Sequence, residues 1–353
     1  MNETETCGQR VPFPADSFYN ERMGNGFPLH GRLPLQADTW RLPHVAFAPP
    51  PRRRLRLALV LFLLTVVSTL FVGLHLTQAY QQDQPPYTDA VYSFELLRQL
   101  AGDPLVLFQG WAFAATLLGI LLAHELGHYF ACRRYGIVAS YPYFLPFPNL
   151  IGTMGAFIRI QSPIVNRRAL FDVGVAGPLV GFVLAVPALA WGLAHSKVLP
   201  GALEGSVVVF GNPPLVWFFE QLFWPGVPAD HLMLHPVARA AWVGLFATAL
   251  NLLPVGQLDG GHIIYAVAPD KHRPLSRVFL SALFAAGVLG YFYPEVLWLG
   301  WLVFGAFLLL VGPRHPAVLD PGAPLDRRRL WVAAFGLLVF VLCFTPVPFH
   351  APY

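Results

Sequence analysis

Nineteen consecutive residues, 105–123, carry no charge, and the run passes without a break into His124-Glu-Leu-Gly-His128. A run of that length is close to the span of a bilayer's hydrocarbon layer, about 20 residues as a helix. Inside lipid every backbone N–H and C=O must be satisfied within the segment, so the run can only be a transmembrane helix. The His-Glu-x-x-His cluster then lies at membrane depth. Ionisable groups are costly there, and their default reading is a functional site.

Composition agrees with that reading. The chain is 56% hydrophobic and 12% charged, where soluble chains carry about 25% charged residues. Seven apolar segments approach spanning length: 57–77, 104–132, 173–194, 237–255, 278–293, 296–312 and 330–346, the last three being short. The expected fold is therefore an all-α polytopic membrane protein of about seven transmembrane helices. With all seven crossing and the N-terminus cytosolic, 20 of the 23 Lys and Arg fall on the cytosolic side, as the positive-inside rule requires. The run Pro51-Arg-Arg-Arg-Leu-Arg56 abuts the first span and reads as a topology anchor, not a nucleic-acid patch. The expected partner on these grounds is the lipid bilayer, with no nucleic acid.

Residues 1–56, rich in Pro, Gly and polar residues before the basic run, read as a flexible cytosolic arm. The first apolar run begins too late for a secretory signal peptide. The expectation is a bacterial cytoplasmic membrane; a thylakoid membrane is the alternative. Residues 57–103 read as the first span and an outer loop, 104–265 as the catalytic core, and 266–353 as C-terminal spans. Cys7, Cys132 and Cys343 are too few and too scattered to form a disulfide framework or a thiolate zinc site.

The motif spacing carries its own chemistry. Residues four apart share a helix face, so His124 and His128 can present two imidazole nitrogens to one ion. Glu125 sits one step round the helix, where it can take a proton from water activated at the metal. The cytosolic end of this span is marked by Arg133 and Arg134, which puts the pair about 7–15 Å below it. A catalytic zinc takes three protein ligands and keeps one position open. The stretch Asn251-Leu-Leu-Pro-Val-Gly-Gln-Leu-Asp259-Gly-Gly-His262 follows the fourth span and arrives at the same depth. Pro254 and Gly256 break the helix there, and Gly260 and Gly261 allow close backbone approach, so Asp259 can turn inward as the third ligand. Alone, Asp-Gly-Gly would also suit a helix-ending turn.

His-Glu-x-x-His in one span, with Asn-x-x-Pro-x-x-x-Leu-Asp-Gly in a later one, resembles the site-2 protease family of intramembrane zinc metalloproteases (peptidase family M50). The match covers roughly 105–262. The resemblance implies a three-helix catalytic core, one Zn²⁺ on His124, His128 and Asp259, Glu125 as catalytic acid/base, and a transmembrane protein substrate as partner. It also implies that Ala176-Gly-Pro-Leu-Val-Gly-Phe182 is the glycine-rich middle span packed between the ligand helices. Asn251 matches a family asparagine near the scissile carbonyl; an interhelical hydrogen bond is the other reading. Gly152-Thr-Met-Gly-Ala-Phe-Ile-Arg-Ile-Gln161 reads as a short hairpin on the cytosolic membrane surface, with Gly155 and Phe157 as candidate substrate contacts. Its exposed edge could hold an unwound substrate by main-chain bonds; a purely structural loop is the alternative.

Many relatives carry a PDZ insertion or a terminal CBS pair, and this chain has room for neither in the 195–236 loop or after 313. Instead 206–224 is apolar, broken by Gly211-Asn-Pro-Pro214, and holds Glu220, which suggests a re-entrant or interfacial helix. The loop pattern resembles the plant and cyanobacterial branch containing the chloroplast EGY proteases. Three rivals remain: a metal transporter or sensor, a non-haem iron oxidase, and a catalytically silent scaffold. A transporter needs polar residues through the opposite half of the membrane, where the second span offers only Gln109. An oxidase would leave Glu125 without a role. Retention of every metal-contacting residue argues against a scaffold. His262 reads as supporting the metal site or as a solvated loop residue. His231 and His235 belong to the opposite side, His75 to the outer end of the first span, and Pro294 with Glu295 to a turn.

Overall fold

The computed structural model describes residues 52–87, 94–294, 297–312, 315, 318–320, 322 and 324–350. The expected N-terminal arm through residue 51, Cys7 and Glu295 lie outside the described residues. In chain order the elements are α1 (Arg52–Gln81), α2 (Phe94–Gly102), a 3-10 stretch (Pro104–Gly110) running into α3 (Trp111–Arg134), and the strands β1 (Tyr143–Pro146) and β2 (Thr153–Phe157). There follow α4 (Arg167–Ala194), β3 (Lys197–Val198), β4 (Val209–Phe210), α5 (Pro214–Phe223), β5 (Leu232–Met233) and α6 (Pro236–Asn251). The chain continues with α7 (Asp259–Val267), α8 (Pro269–Phe292), α9 (Gly300–Val311), α10 (Arg327–Cys343) and β6 (Phe349–His350).

Four helical stretches are long and apolar enough to cross a membrane: Arg54–Gln81, Pro104–Arg134, Arg167–Ala194 and Pro269–Phe292. The other three expected segments form shorter helices, with 16 residues in α6, 12 in α9 and 17 in α10. Helix α6 is short because the Pro254–Gly256 turn follows it, with Gly256 in the left-handed region at φ 55°. The segment expected at 278–293 belongs to a longer helix whose first turns hold Lys271, Arg273 and Arg277. Large apolar side chains cover the outward faces; Val303 is 71% exposed, Trp331 73% and Leu310 86%. Apolar surface of this extent marks contact with lipid. The chain is a multi-pass membrane protein.

Helix α4 is the centre of the bundle and packs along α3, α6 and α7. The core between them holds Phe113, Leu117, Leu170, Phe171 and Trp242, all essentially inaccessible. Asn166 caps α4 by accepting from the Ala169 N–H at 2.9 Å, and Asp326 caps α10 in the same way from Arg329 at 3.0 Å. Polar side chains clamp the basic helix ends together. Arg329 makes a bidentate pair with Asp172 at 2.8 and 2.6 Å, and the Tyr135 hydroxyl, just past α3, donates to the same carboxylate. Arg167 donates to the Ala266 and Val267 carbonyls at 2.8 and 3.0 Å, satisfying the exposed C-terminal carbonyls of α7. Arg167→Met is expected to lower stability by about 1–3 kcal/mol, measured as a drop in unfolding temperature of the detergent-solubilised chain. No drop would mean that α7 is held by packing alone.

Strands β1 and β2 pair antiparallel, with Tyr143 opposite Phe157 and Phe144 opposite Ala156. The ladder continues outward through Ser140 N–H to Arg159 O at 2.9 Å and Gln161 N–H to Val138 O at 2.7 Å. The first strand thus precedes the stretch where the hairpin was expected. The hairpin tip docks half-way along α1. Ser68 Oγ donates to Gly152 O at 2.6 Å, and Gly152 stands at φ 83°, where a Cβ would meet the Ser68 carbonyl at 2.7 Å. Buried Phe144 packs edge-on to Phe62 of α1, with centroids 5.0 Å apart, so apolar contact draws the hairpin along the helix.

Candidate metal centre

Helix α3 sets His124 and His128 one turn apart on a buried face. Their Nε2 atoms lie 3.2 Å from each other. Asp259 Oδ2 completes a triangle, 3.3 Å from His124 Nε2 and 3.2 Å from His128 Nε2. Three donors at 2.0–2.1 Å from a tetrahedral zinc must be about 3.3 Å apart, so the triangle matches one face of that tetrahedron. Protonation points the same way. His128 Nδ1 lies 2.7 Å from the Val173 carbonyl, which only accepts, so the ring proton sits on Nδ1 and Nε2 presents a lone pair. A neutral His128 cannot donate to His124 or Asp259 from that atom, and lone-pair atoms this close suit a shared cation. Among the described residues, this is the group of His, Cys, Asp and Glu able to hold a metal. The residues fit Zn²⁺.

The third ligand is delivered by a tight turn. Asp259 opens α7, where the helix dipole favours a carboxylate. A Cβ on Gly260 or Gly261 would overlap the Leu252 or Gly256 carbonyl respectively. Helix α8 braces the turn: His272 Nε2 reaches the Gly256 carbonyl at 3.1 Å, and Ser276 Oγ serves both the Gly256 N–H and the Pro254 carbonyl at 3.3 and 3.2 Å. The middle helix α4 gives the ligands room. A Cβ at Gly177 would overlap His128 Nε2, one at Gly181 would sit 3.2 Å from His124 Nδ1, and one at Gly174 would sit 2.7 Å from His262 Cβ.

Beside the triangle lies a cavity of about 180 Å³. Glu125 lines it, 5% exposed and bonded by the Ile158 backbone N–H, without belonging to the donor triangle. Phe157 also lines the cavity, whereas Gly155, two residues earlier in β2 at φ 100°, is absent from its wall. Asn251, the last residue of α6, lines it too, with Nδ2 3.2 Å from His124 Nε2. The structure thus brings six of the seven candidates to one site and leaves Gly155 beside it. His262 is in the wall and not in a solvated loop; its Nδ1 lies 2.7 Å from His315 Nε2. Burial, with His315 beside it, pushes the His262 imidazole down to about 3, so it is neutral at ordinary pH. His231 and His235 pack elsewhere, near Asp230 and near Tyr80 with Trp191. His272 and Ser276 could have been paired from their one-turn spacing, but nothing in the sequence signals His315.

A family model described as peptidase family M50 matches residues 112–293. Probable zinc metalloprotease EGY1, chloroplastic, from Arabidopsis thaliana is 36% identical over 82% of this chain and 53% of that protein. Its namesake from Oryza sativa subsp. japonica is 29% identical over 83% of this chain and 50% of its own length. Probable zinc metalloprotease EGY2, chloroplastic, from Oryza sativa subsp. indica is 31% identical over 70% and 45%. The chain spans about half the length of these relatives.

Proposed function

This chain belongs to peptidase family M50, and on that premise we propose that it is a zinc metalloendopeptidase cutting peptide bonds in or beside the transmembrane segments of membrane-protein substrates. The observation that carries the reading is the 3.2–3.3 Å donor triangle with a non-ligating Glu125 in the wall of the same cavity. Zinc bound there supplies Lewis-acid polarisation of the scissile carbonyl and lowers the pKa of water. Glu125 takes the proton of the attacking water and delivers it to the leaving amide nitrogen. The Ile158 N–H holds the Glu125 carboxylate in place between the two transfers. With the His124 lone pair committed to the metal, the Asn251 amide is free to donate to the carbonyl oxygen as it gains charge.

Substrate presentation falls to β2. One edge of β2 is taken by β1, and Ala156, Phe157 and Ile158 line the cavity. An extended substrate segment laid beside β2 would expose its peptide groups, which a helix keeps in its own hydrogen bonds. The basic helix ends and the metal centre face the cytosol or its equivalent compartment, as the positive-inside rule directs. In this reading α6, α9 and α10 complete seven crossings.

The test is cleavage of a single-span model substrate by the full chain in detergent, before and after chelation. Cleavage should vanish with the metal and return on adding Zn²⁺. Cleavage that persists in metal-free protein would sink the proposal.

A further inference from the structure

Across the molecule from Asn251, at the other end of α6, Arg239 is 4% exposed. It lines a cavity of about 420 Å³ between α5, α6 and the β4–β6 pair. The Lys and Arg ion pairs among the described residues are Lys197–Asp83, Arg329–Asp172 and Arg329–Asp326, so Arg239 has no carboxylate. It donates no hydrogen bond to a described residue. Its neighbours are rings: Cζ lies 5.8 Å from the Tyr87 centroid and 5.7 Å from that of Phe210. Two ring contacts recover only part of the hydration a guanidinium loses on burial, and they leave its five N–H groups without acceptors. The charge also sits in the first turn of α6, at the positive end of the helix dipole, and the carboxylates in the wall are Glu220 and the exposed Asp230, whose Oδ2 lies 3.9 Å from His231 Nε2.

The surroundings are built, not loose. Tyr87 is held beneath the guanidinium at φ 63°, a region aromatic residues rarely adopt. Trp242 Nε1 donates to the Gly211 carbonyl at 2.7 Å, and the Gly211 N–H to Pro348 O at 2.9 Å. Glu220, also in the wall, is occupied by Asn212, and burial raises its carboxyl above the usual range, which weakens its repulsion of an anion. The start of α6 lies level with the end of α1, where His235 packs edge-on to Tyr80 with centroids 5.0 Å apart. Rings of this kind mark the headgroup level of a bilayer.

We propose that this cavity binds a phosphate group against Arg239, with the apolar remainder of the ligand against the partly buried Phe210 and Leu234. A phospholipid headgroup and free phosphate share this chemistry. A guanidinium fork suits phosphate better than an ammonium does.

The test uses the full chain, delipidated in detergent, with short-chain phosphatidylglycerol as probe, the matching diacylglycerol as the phosphate-free control, and inorganic phosphate as competitor. Wild type should bind the phosphatidylglycerol at least about 10-fold more tightly than Arg239→Met, and should not bind the diacylglycerol. Arg239→Met removes an unpaired buried charge and should remain folded, checked by an unchanged metal content; Arg239→Lys should fall between the two. Competition by inorganic phosphate would support the site and assign it to the free ion, whereas its failure to compete would support it as a lipid site. Equal binding of phosphatidylglycerol by wild type and Arg239→Met in folded protein would overturn the proposal.

Discussion

Glu125→Gln is expected to slow peptide hydrolysis by about 10²- to 10⁴-fold, the usual contribution of a positioned acid/base group, while zinc content stays at the wild-type level. The amide keeps the shape and the bond from Ile158 but cannot accept the proton of the attacking water. Metal retention follows from the geometry: Glu125 lies outside the His124, His128 and Asp259 triangle. Initial cleavage rates and bound zinc, measured on the same preparation, check both halves. Loss of zinc in the Gln variant would make Glu125 a ligand and return the iron-oxidase arrangement to contention. An unchanged rate would remove it from the chemistry.

A second large effect, on the metal itself, is expected from one methyl group on α4. In Gly177→Ala the added Cβ overlaps His128 Nε2 itself, and the ring cannot swing away without giving up the Val173 carbonyl or its corner of the triangle. Losing even an outer partner of a metal ligand costs about 10–100-fold in affinity, so displacing the ligand should cost at least that, and cleavage should fall with it. Gly181→Ala is the graded comparison. Its Cβ would stand 3.2 Å from His124 Nδ1, a crowding that a shift of a few tenths of an ångström relieves, so most of the metal should remain. Gly119→Ala on α3 meets nothing within 4 Å and should leave both readouts unchanged. Zinc affinity by competition with a chromophoric chelator orders the three. Equal affinity in Gly177→Ala and wild type would mean that α4 does not shape the site.

The local parts of this site were legible in the sequence because local rules govern them. The 3.6-residue helical period places His124 and His128 together, and Pro254 with Gly256 ends α6 and lets Asp259 turn back. Long-range packing was less legible. The hairpin carries its strand signals, but its depth depends on Phe144 meeting Phe62 and on Ser68 receiving Gly152, contacts between elements some eighty residues apart. Span number was less legible where helices are short: a hydropathy window reads the 16-residue α6, followed by a turn, in the same way as a longer helix. His315 carries no pattern of its own and reaches the site through its bond to His262 and its ring contacts with Tyr265 and His272. Arg239 belongs to none of the sequence motifs; its burial against Tyr87 and Phe210 is a property of the fold alone.

Zinc K-edge X-ray absorption of the purified full chain tests the central claim most directly. The account predicts one zinc per chain with two imidazole nitrogens and one carboxylate oxygen at about 2.0–2.1 Å and no sulfur, a pattern that loses its oxygen contribution or its metal in Asp259→Ala. A folded protein that holds no zinc, or one whose zinc spectrum is the same in Asp259→Ala, would contradict it.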